Sequence, residues 1–300
     1  MKKILLDKLL DETSINSFLE NGFLIVPQLL AETEIKEITN DIPKILKGEY
    51  PSSKFSFLPK NSSEQEVLDS FLCLHFPHTI SPIMENYLKH PKICGILDQI
   101  VGAHLYAWEG GVKSMQSMLF SKPAGAPGQG WHQDEFYIPT RDRSMTGAWI
   151  ALDDANLENG CLWVIPGSHK KGILYQMDEP LEKNEKEYGD TGIAHGFDEN
   201  QKIPVEVKRG DVVYFNGYLL HKSMRNNSQA TRRVLVNHYM SCVSELPWNK
   251  LPEADGFIGN DCREVIHVSG QDPIHWKPTY ARDKTHFRAR TVRENEKSVS

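Results

Sequence analysis

The sequence predicts a mainly β protein, a jelly roll with helices packed on one outer face. Two textures carry that reading. From residue 104 onward, short apolar runs recur with turn residues between them, over 104–108, 114–120, 147–152, 161–165, 205–207, 212–215 and 234–240. Many short strands divided by turns bury their apolar faces as a sandwich or barrel, and a jelly roll accommodates this number best. Helical spacing of apolar residues, by contrast, is confined to the chain before residue 104.

The elements follow in order. Residues 14–19 form a first helix candidate, and Asn21-Gly22 supplies a left-handed stop. The run Phe23-Leu24-Ile25-Val26 reads as a buried strand closed by Pro27. A second helix begins near Ala31-Glu32-Thr33, with acid in its first turn and Ile35, Ile38 and Ile42 on one face. Residues 47–66 are polar, with Pro51, Ser52, Ser53, Pro59 and Asn61-Ser62-Ser63, and read as a long surface loop. After Pro91, the residues Ile93, Ile96, Leu97 and Ile100 share one helical face, which ends at Gly102.

In the strand-rich part, Leu157-Glu158-Asn159-Gly160 holds the Asn-Gly pair favoured in tight hairpins, and Pro166-Gly167-Ser168 and Arg209-Gly210-Asp211 mark further turns. Residues 177–200 read as a polar surface excursion. After Trp248 regularity is lost, apart from a late strand over 263–268, and 288–300 reads as a charged, frayed end. Neither an internal repeat nor a linker demands a second domain. The chain reads as a single domain: a helical and loop part over about 1–103, a jelly-roll core over about 104–245 and an irregular extension over 246–300.

Composition narrows the partners. A hydrophobic content of 39% in 300 residues suffices for a sizeable core and excludes wholesale disorder. A net charge of −6 argues against nucleic-acid binding, which needs a basic footprint. No stretch approaches the ~18 consecutive apolar residues of a membrane span. The opening Met1-Lys2-Lys3-Ile4-Leu5-Leu6 is interrupted by Asp7 and Lys8, so no signal-peptide core forms. Cys73, Cys94, Cys161, Cys242 and Cys262 are odd in number and scattered, which reads as reduced thiols rather than a disulfide framework or zinc site. A cytoplasmic protein with a small-molecule partner is expected, and its oligomeric state is not legible.

The chemistry centres on Trp131-His132-Gln133-Asp134. A His and an Asp two apart on a strand project from one face. They would make two-thirds of the 2-His-1-carboxylate facial triad of non-haem Fe(II) oxygenases. Among twelve histidines a short His-x-Asp match also arises by chance, so a third ligand matters. His221 is the candidate, following the strand-like run 211–215 and a turn at Gly217; it reads equally as a loop histidine. Arg232 could fork onto a carboxylate in the same barrel, with Ser223 adding a hydroxyl. On their own, Arg232 and Arg233 read as solvated charges and Ser223 as a turn serine.

His132-Gln133-Asp134, the stretch Ala148-Trp149-Ile150-Ala151-Leu152-Asp153-Asp154-Ala155-Asn156-Leu157-Glu158-Asn159-Gly160-Cys161-Leu162, and Ile165-Pro166-Gly167-Ser168-His169 together resemble the phytanoyl-CoA dioxygenase family. The segment from His221 through Ser223, Asn226 and Ser228 to Arg232 looks like the family's second half-motif, and Asn21-Gly22-Phe23-Leu24-Ile25-Val26-Pro27 its usual start. The matches run over about 15–240. The resemblance implies a double-stranded β-helix, Fe(II) held by His132, Asp134 and His221, and 2-oxoglutarate as cosubstrate with O2. It implies that Arg232 and Ser223 hold the distal carboxylate, while Met118 and Trp149 line the same pocket. Trp149 reads equally as a barrel-core tryptophan. Three ligands on one face leave three positions open, for the keto oxygen and near carboxylate of 2-oxoglutarate and for O2. Decarboxylation to succinate and CO2 would be coupled to hydroxylation of a small molecule. Asp134 argues against halogenation, since related halogenases lack the carboxylate ligand. The chain departs from the family in the segment before the barrel: a lysine contact to the cosubstrate is common there, and His75 and His78 stand in that region instead.

Three other features read more plainly. His169 is a turn residue, His238 a core or pocket histidine, and Arg141 and Arg143 are loop charges at the barrel mouth, where an anionic substrate would be met. Two other classes stay open: a non-catalytic small-molecule binding or sensing protein on this fold, and a cupin-type metalloenzyme without 2-oxoglutarate, in which Arg232 would have no task.

Overall fold

Alternation along the strands builds two antiparallel sheets whose inner faces meet. The computed structural model describes residues 9–51, 57–106, 108–178, 192–246, 265–276 and 286–290. The helices are α1 (Glu12–Asn21), α2 (Glu32–Leu46), α3 (Glu64–Asp69), α4 (Pro82–Leu88) and α5 (Pro91–Ile100). The strands up to the middle of the chain are β1 (Phe23–Val26), β2 (Phe71–His75), β3 (Val112–Lys122), β4 (Gln129–His132), β5 (Thr146–Ala151), β6 (Leu162–Val164) and β7 (Met177–Asp178). The remainder are β8 (Ile193–Ala194), β9 (Ile203–Val205), β10 (Val212–Asn216), β11 (His221–Ser223), β12 (Arg232–Ser241), β13 (Ile266–Ser269) and β14 (His286–Ala289).

The larger sheet runs β1-β10-β5-β12-β3-β2-β14, with β13 also paired to β3; the smaller runs β4-β11-β6-β9. The expected jelly roll is therefore present, and solved structures of similar fold are described below. Strands from both ends of the chain complete the larger sheet: β1 and β2 precede the core, and β13 and β14 follow it. β12 shows how the faces are assigned. Leu235 and Tyr239 point outward into a cluster with Ile35, Ile38 and Ile42 of α2 and Ile93, Ile96 and Leu97 of α5. Val234 and Val236, of opposite parity, face inward and pack with Trp149, Leu162, Val164 and Phe215. The helices thus cover one face of the larger sheet, and the smaller sheet covers the other.

Local signals place the helices. Asp11 caps α1 by accepting from the Ser14 amide at 2.7 Å, and Gly22 ends it at φ +80°. Only glycine fits at Gly22, because a Cβ would come within 2.4 Å of the His169 ring. The 47–66 loop ends earlier than expected, at the capping box of Ser63 and Glu66 that opens α3.

The expected strand over 104–108 does not form among the described residues. The chain leaves α5 through tight turns, Ala103 N to Ile100 O and Leu105 N to Gly102 O, with Tyr106 in solvent and Trp108 packed on Gly102. Its apolar alternation mimics a strand, but among the described residues it pairs with no strand. The 288–300 expectation is corrected in part: Arg288 sits on β14 opposite Cys73 of β2, while 291–300 lie outside the described residues. The late strand is β13, which begins at Ile266 rather than 263. Of the 177–200 excursion, 177–178 and 192–200 are described; β7 pairs with β8, and Ile193, Ala194 and Phe197 pack with Trp131, Ile165 and Leu220, so this part is anchored. The expectations for residues 1–8, 52–56, 179–191 and 247–262, with Cys262, fall outside the described residues. Cys73, Cys94, Cys161 and Cys242 are free and buried, and no described helix is long and apolar enough to cross a membrane.

The tight hairpin expected at Asn159-Gly160 does not form: the turn carries the chain from β5 of the larger sheet to β6 of the smaller one, and Gly160 packs it against the segment after β11. Gly160 sits at φ +77°, and a Cβ there would stand 2.2 Å from the Met224 carbonyl oxygen. Gly160→Ala is expected to cost about 1–3 kcal/mol through left-handed strain and displaced backbone. Urea unfolding checks this, and an unchanged midpoint would show that the turn relaxes freely.

Candidate metal centre and its pocket

The pairing of β11 with β4 sets His221 directly opposite His132. Opposed residues on antiparallel strands stand about 5 Å apart at Cβ, and the two imidazole centroids lie 4.1 Å apart. The expectation that Asp134 lies on the strand is corrected. β4 ends at His132, and Asp134 opens a single 3-10 turn. Gln133 stays extended at φ −130° and ψ 127°, so the alternation persists one step beyond the ladder and brings the carboxylate to the side of the imidazoles. Gln133 itself points the other way. Its amide donates to Ile173 O at 2.9 Å and Tyr218 O at 2.7 Å, and its oxygen accepts from the Tyr175 amide at 2.9 Å.

Backbone carbonyls fix the tautomers. His132 Nδ1 lies 2.8 Å from Gly130 O, and His221 Nδ1 lies 2.9 Å from Leu219 O. A carbonyl can only accept, so each Nδ1 carries the proton and each Nε2 presents a lone pair. Both Nε2 atoms lie 3.6 Å from Asp134 Oδ1. The three donor atoms fall within 4.8 Å of one another, a set that could hold a metal ion. Gln129 donates to the His132 lone pair at 3.1 Å, a bond that a metal ion would replace.

The electrostatics keep this set in ligand form. Burial, with His221 alongside, pushes His132 down to about 3, so its ring is neutral. Burial by itself would raise Asp134, but the attraction of His221 and the bond from His238 outweigh it and hold the carboxyl below its ordinary range. His238 Nε2 sits 3.1 Å from Asp134 Oδ2, while Oδ1 is the oxygen shared with the two histidines. The neutral His132 ring and the ionised Asp134 carboxylate are forms that bind a cation without first releasing a proton.

The donors open onto a cavity of about 440 Å³ between the sheets. Period-two alternation builds its larger wall: Gln116, Met118, Phe120 and Lys122 from β3, and Arg232, Val234, Val236 and His238 from β12. Arg232 is buried, its guanidinium lies 5.4 Å above the Trp149 ring, and its Nε has no hydrogen-bond partner. Burial pulls it down to about 10, which leaves it charged at neutral pH. Arg233 faces the other way and clasps Asp153 with two contacts of 2.8 Å. Only one arginine of the pair enters the cavity.

Ser223 and Met118 also line the cavity, and Trp149 both lines it and belongs to the inner core. The loop charges do not reach it. Arg141 pairs with Glu245 at 2.8 Å, and Arg143 lies 5.7 Å over the Tyr218 ring. His169 serves the turn, with Nε2 3.0 Å from Leu19 O. His78 is tied to Ser117 Oγ at 2.6 Å, whereas His75 lines the cavity. Sequence reasoning missed Lys122, Gln129 and Arg288, which line it too. For Lys122 a signal existed: it shares the parity of Met118, so a strand drawn two residues longer would have turned it inward.

Comparison with known proteins follows the same lines. A family model described as Phytanoyl-CoA dioxygenase (PhyH) matches residues 18–234. A rice protein named Phytanoyl-CoA dioxygenase 1 (Oryza sativa subsp. japonica) is 38% identical over 140 residues, which are 45% of this chain and 47% of that protein. An Arabidopsis thaliana Phytanoyl-CoA dioxygenase is 36% identical over 170 residues, 55% of this chain and 54% of its own length. The chain thus spans about half the length of these curated relatives. The human protein named Phytanoyl-CoA dioxygenase, peroxisomal, is 28% identical over 245 residues, 74% of this chain and 66% of that protein. Among solved structures, the non-heme alpha ketoglutarate dependent carbocyclase SnoK from nogalamycin biosynthesis is 21% identical with a TM-score of 0.60, covering 87% of this chain and 97% of that one. EctD from S. alaskensis in its apoform is 18% identical with a TM-score of 0.57, covering 80% of each chain. These structural likenesses show the shared fold.

Proposed function

Since the chain belongs to the phytanoyl-CoA dioxygenase family, we propose that it is an Fe(II)- and 2-oxoglutarate-dependent dioxygenase that hydroxylates a small molecule. The observation that carries this reading is the convergence of His132 Nε2, Asp134 Oδ1 and His221 Nε2 on one side of a buried cavity. Two imidazoles and one carboxylate, with no thiolate among them, suit Fe(II). Bound iron would supply the redox chemistry that couples decarboxylation of 2-oxoglutarate, to succinate and CO2, to oxidation of a substrate C–H bond. The chain's residues do the remainder. His132 and His221 hold their lone pairs inward through Gly130 and Leu219. Arg232, with Ser223 on the facing strand, receives the distal carboxylate and so aims the keto acid at the metal. Trp149 and Met118 wall the same space and exclude water. A binding or sensing module would need neither the full donor set nor a buried arginine in the cavity, and a cupin-type enzyme without the keto acid would leave Arg232 idle.

Hydroxylation is tested by product mass. Screening small molecules for succinate release above the uncoupled background, in air with Fe(II) and 2-oxoglutarate, should find substrates whose product gains one oxygen atom. Products that lose two hydrogens, or keep their mass, would overturn hydroxylation. No succinate with any substrate or without one would sink the oxygenase reading.

His238 is expected to act through Asp134. Outer partners of metal ligands typically contribute about 10- to 100-fold to metal affinity. His238→Leu should weaken Co(II) binding by about that factor with the donors themselves intact. Calorimetric titration reads it, and an affinity within twofold of the parent would remove His238 from this role.

A further inference from the structure

Arg288 is a cation of the cavity wall for which neither the metal nor the cosubstrate has a task. It stands on β14 opposite Cys73 of β2, which stands opposite Phe120 of β3, itself opposite Val234 of β12. All four residues line the cavity, so one row of side chains turns inward across four strands. Three strand spacings, about 14 Å, separate Arg288 from Val234. Arg232 enters from that far strand, with β3 and β2 between the two arginines. The edge strand is pinned beyond its ladder: Arg290 donates from its amide to Ser70 O and from its guanidinium to Ala124 O, each at 3.1 Å. β14 also lies outside residues 18–234, which the family model matches.

The charges on the wall leave Arg288 over. Asp134 is the only acid among the described residues that line the cavity, against the cations Lys122, Lys222, Arg232 and Arg288. Lys222 has Glu199 at 3.6 Å. Lys122 gives its protons to Ser223 Oγ at 2.9 Å and the Met224 carbonyl at 2.6 Å. Arg232 has the distal carboxylate of the cosubstrate. Among the described residues the Arg288 guanidinium meets neither a carboxylate nor a hydrogen-bond acceptor. The Cys73 thiol opposite it is no counter-ion, because burial pushes that thiol up against the pull of Arg288 and keeps it neutral. A cation partly withdrawn from water into a wall gains most from an anion brought to it.

We propose that Arg288 receives a carboxylate of the substrate, and that the substrate is a small organic acid with an apolar body. This rests on the oxygenase reading above. A planar guanidinium matches a carboxylate with two parallel bonds. The lining around it is apolar, with Leu72, Phe76 and Phe120 on the Arg288 side and Ile138 towards the donors. The cavity of about 440 Å³ is of a size that encloses small ligands. An acyl-CoA fits this wall less well: its carboxyl is masked as a thioester, and its charges sit on the nucleotide portion, so Arg288 would stay unmatched.

The test is anaerobic calorimetry on the protein loaded with Fe(II) and saturated with 2-oxoglutarate. The probes are hexanoate, octanoate and 3-phenylpropanoate, each beside its neutral primary amide, together with octanoyl-CoA. At least one acid should bind about tenfold or more tightly than its amide. Arg288→Gln should erase that preference through a loss of about 10- to 100-fold for the acid, with the amide within twofold of the parent. Arg288→Lys keeps the charge without the fork, and its acid affinity should fall between the two. No acid bound, acids no tighter than amides, a preference that survives Arg288→Gln, or octanoyl-CoA tighter than octanoate would each overturn the proposal. So would a loss that appears only in the titration with 2-oxoglutarate, which would make Arg288 a cosubstrate residue. Should Arg288→Gln not fold, the acid-to-amide ratio of Arg288→Lys decides: a ratio below the parent's supports the proposal, and an unchanged one overturns it. A parent protein that does not bind 2-oxoglutarate overturns the cosubstrate reading itself.

Discussion

Asp134→Ala is expected to abolish iron binding and turnover together. The carboxylate is the only anionic donor of the set, and its Oδ1 lies 3.6 Å from both histidine lone pairs. Without it, two imidazoles remain on adjacent strands. Loss of an outer partner alone costs about 10- to 100-fold in metal affinity, so loss of the ligand itself should cost at least about a thousandfold. The fold should survive. Asp134 has no backbone duty that alanine cannot meet, and Gln133 still pins the segment to Ile173, Tyr175 and Tyr218. Calorimetric titration with Co(II), beside a melting curve, separates the two effects. Affinity within tenfold of the parent would place the metal elsewhere.

Arg232→Ala is expected to raise the 2-oxoglutarate requirement by roughly 30- to 1,000-fold, equivalent to about 2–4 kcal/mol for a buried charged partner. Its effect on stability should be unusual. Removing one member of a buried ion pair ordinarily leaves an orphan charge and costs several kcal/mol. Among the described residues no carboxylate forms an ion pair with Arg232, and it stands opposite another cation. The variant should therefore keep its melting temperature within the loss expected from packing on Trp149, while cosubstrate binding collapses. An unchanged requirement for 2-oxoglutarate would remove Arg232 from the site.

Much of this architecture was legible because alternation is local. The inward parity of Arg232, Val234, Val236 and His238 follows from one strand with apolar residues on both faces. The parity of His132 and Asp134 held even though the ladder stops at His132, because Gln133 remains extended. Other parts depend on distant chain. The run 104–108 has a strand's alternation, but its described residues pair with no strand, whereas the charged stretch around Arg288 becomes β14 on the edge of β2. Lys122 was overlooked for a similar reason. A strand read over 114–120 stops short of it, and the extra length of β3 is fixed by pairing with β12 from Val112 to Lys122. The link from His238 to Asp134 joins residues 104 positions apart, and nothing near either in sequence marks it.

The most direct test of the central claim is an anaerobic titration of the Fe(II)-loaded protein with 2-oxoglutarate, read by visible absorption. A weak metal-to-ligand charge-transfer band that saturates with the keto acid, fails to form in Asp134→Ala and needs far more keto acid in Arg232→Ala is the expected result. Iron binding at full occupancy with no band at saturating 2-oxoglutarate would contradict it.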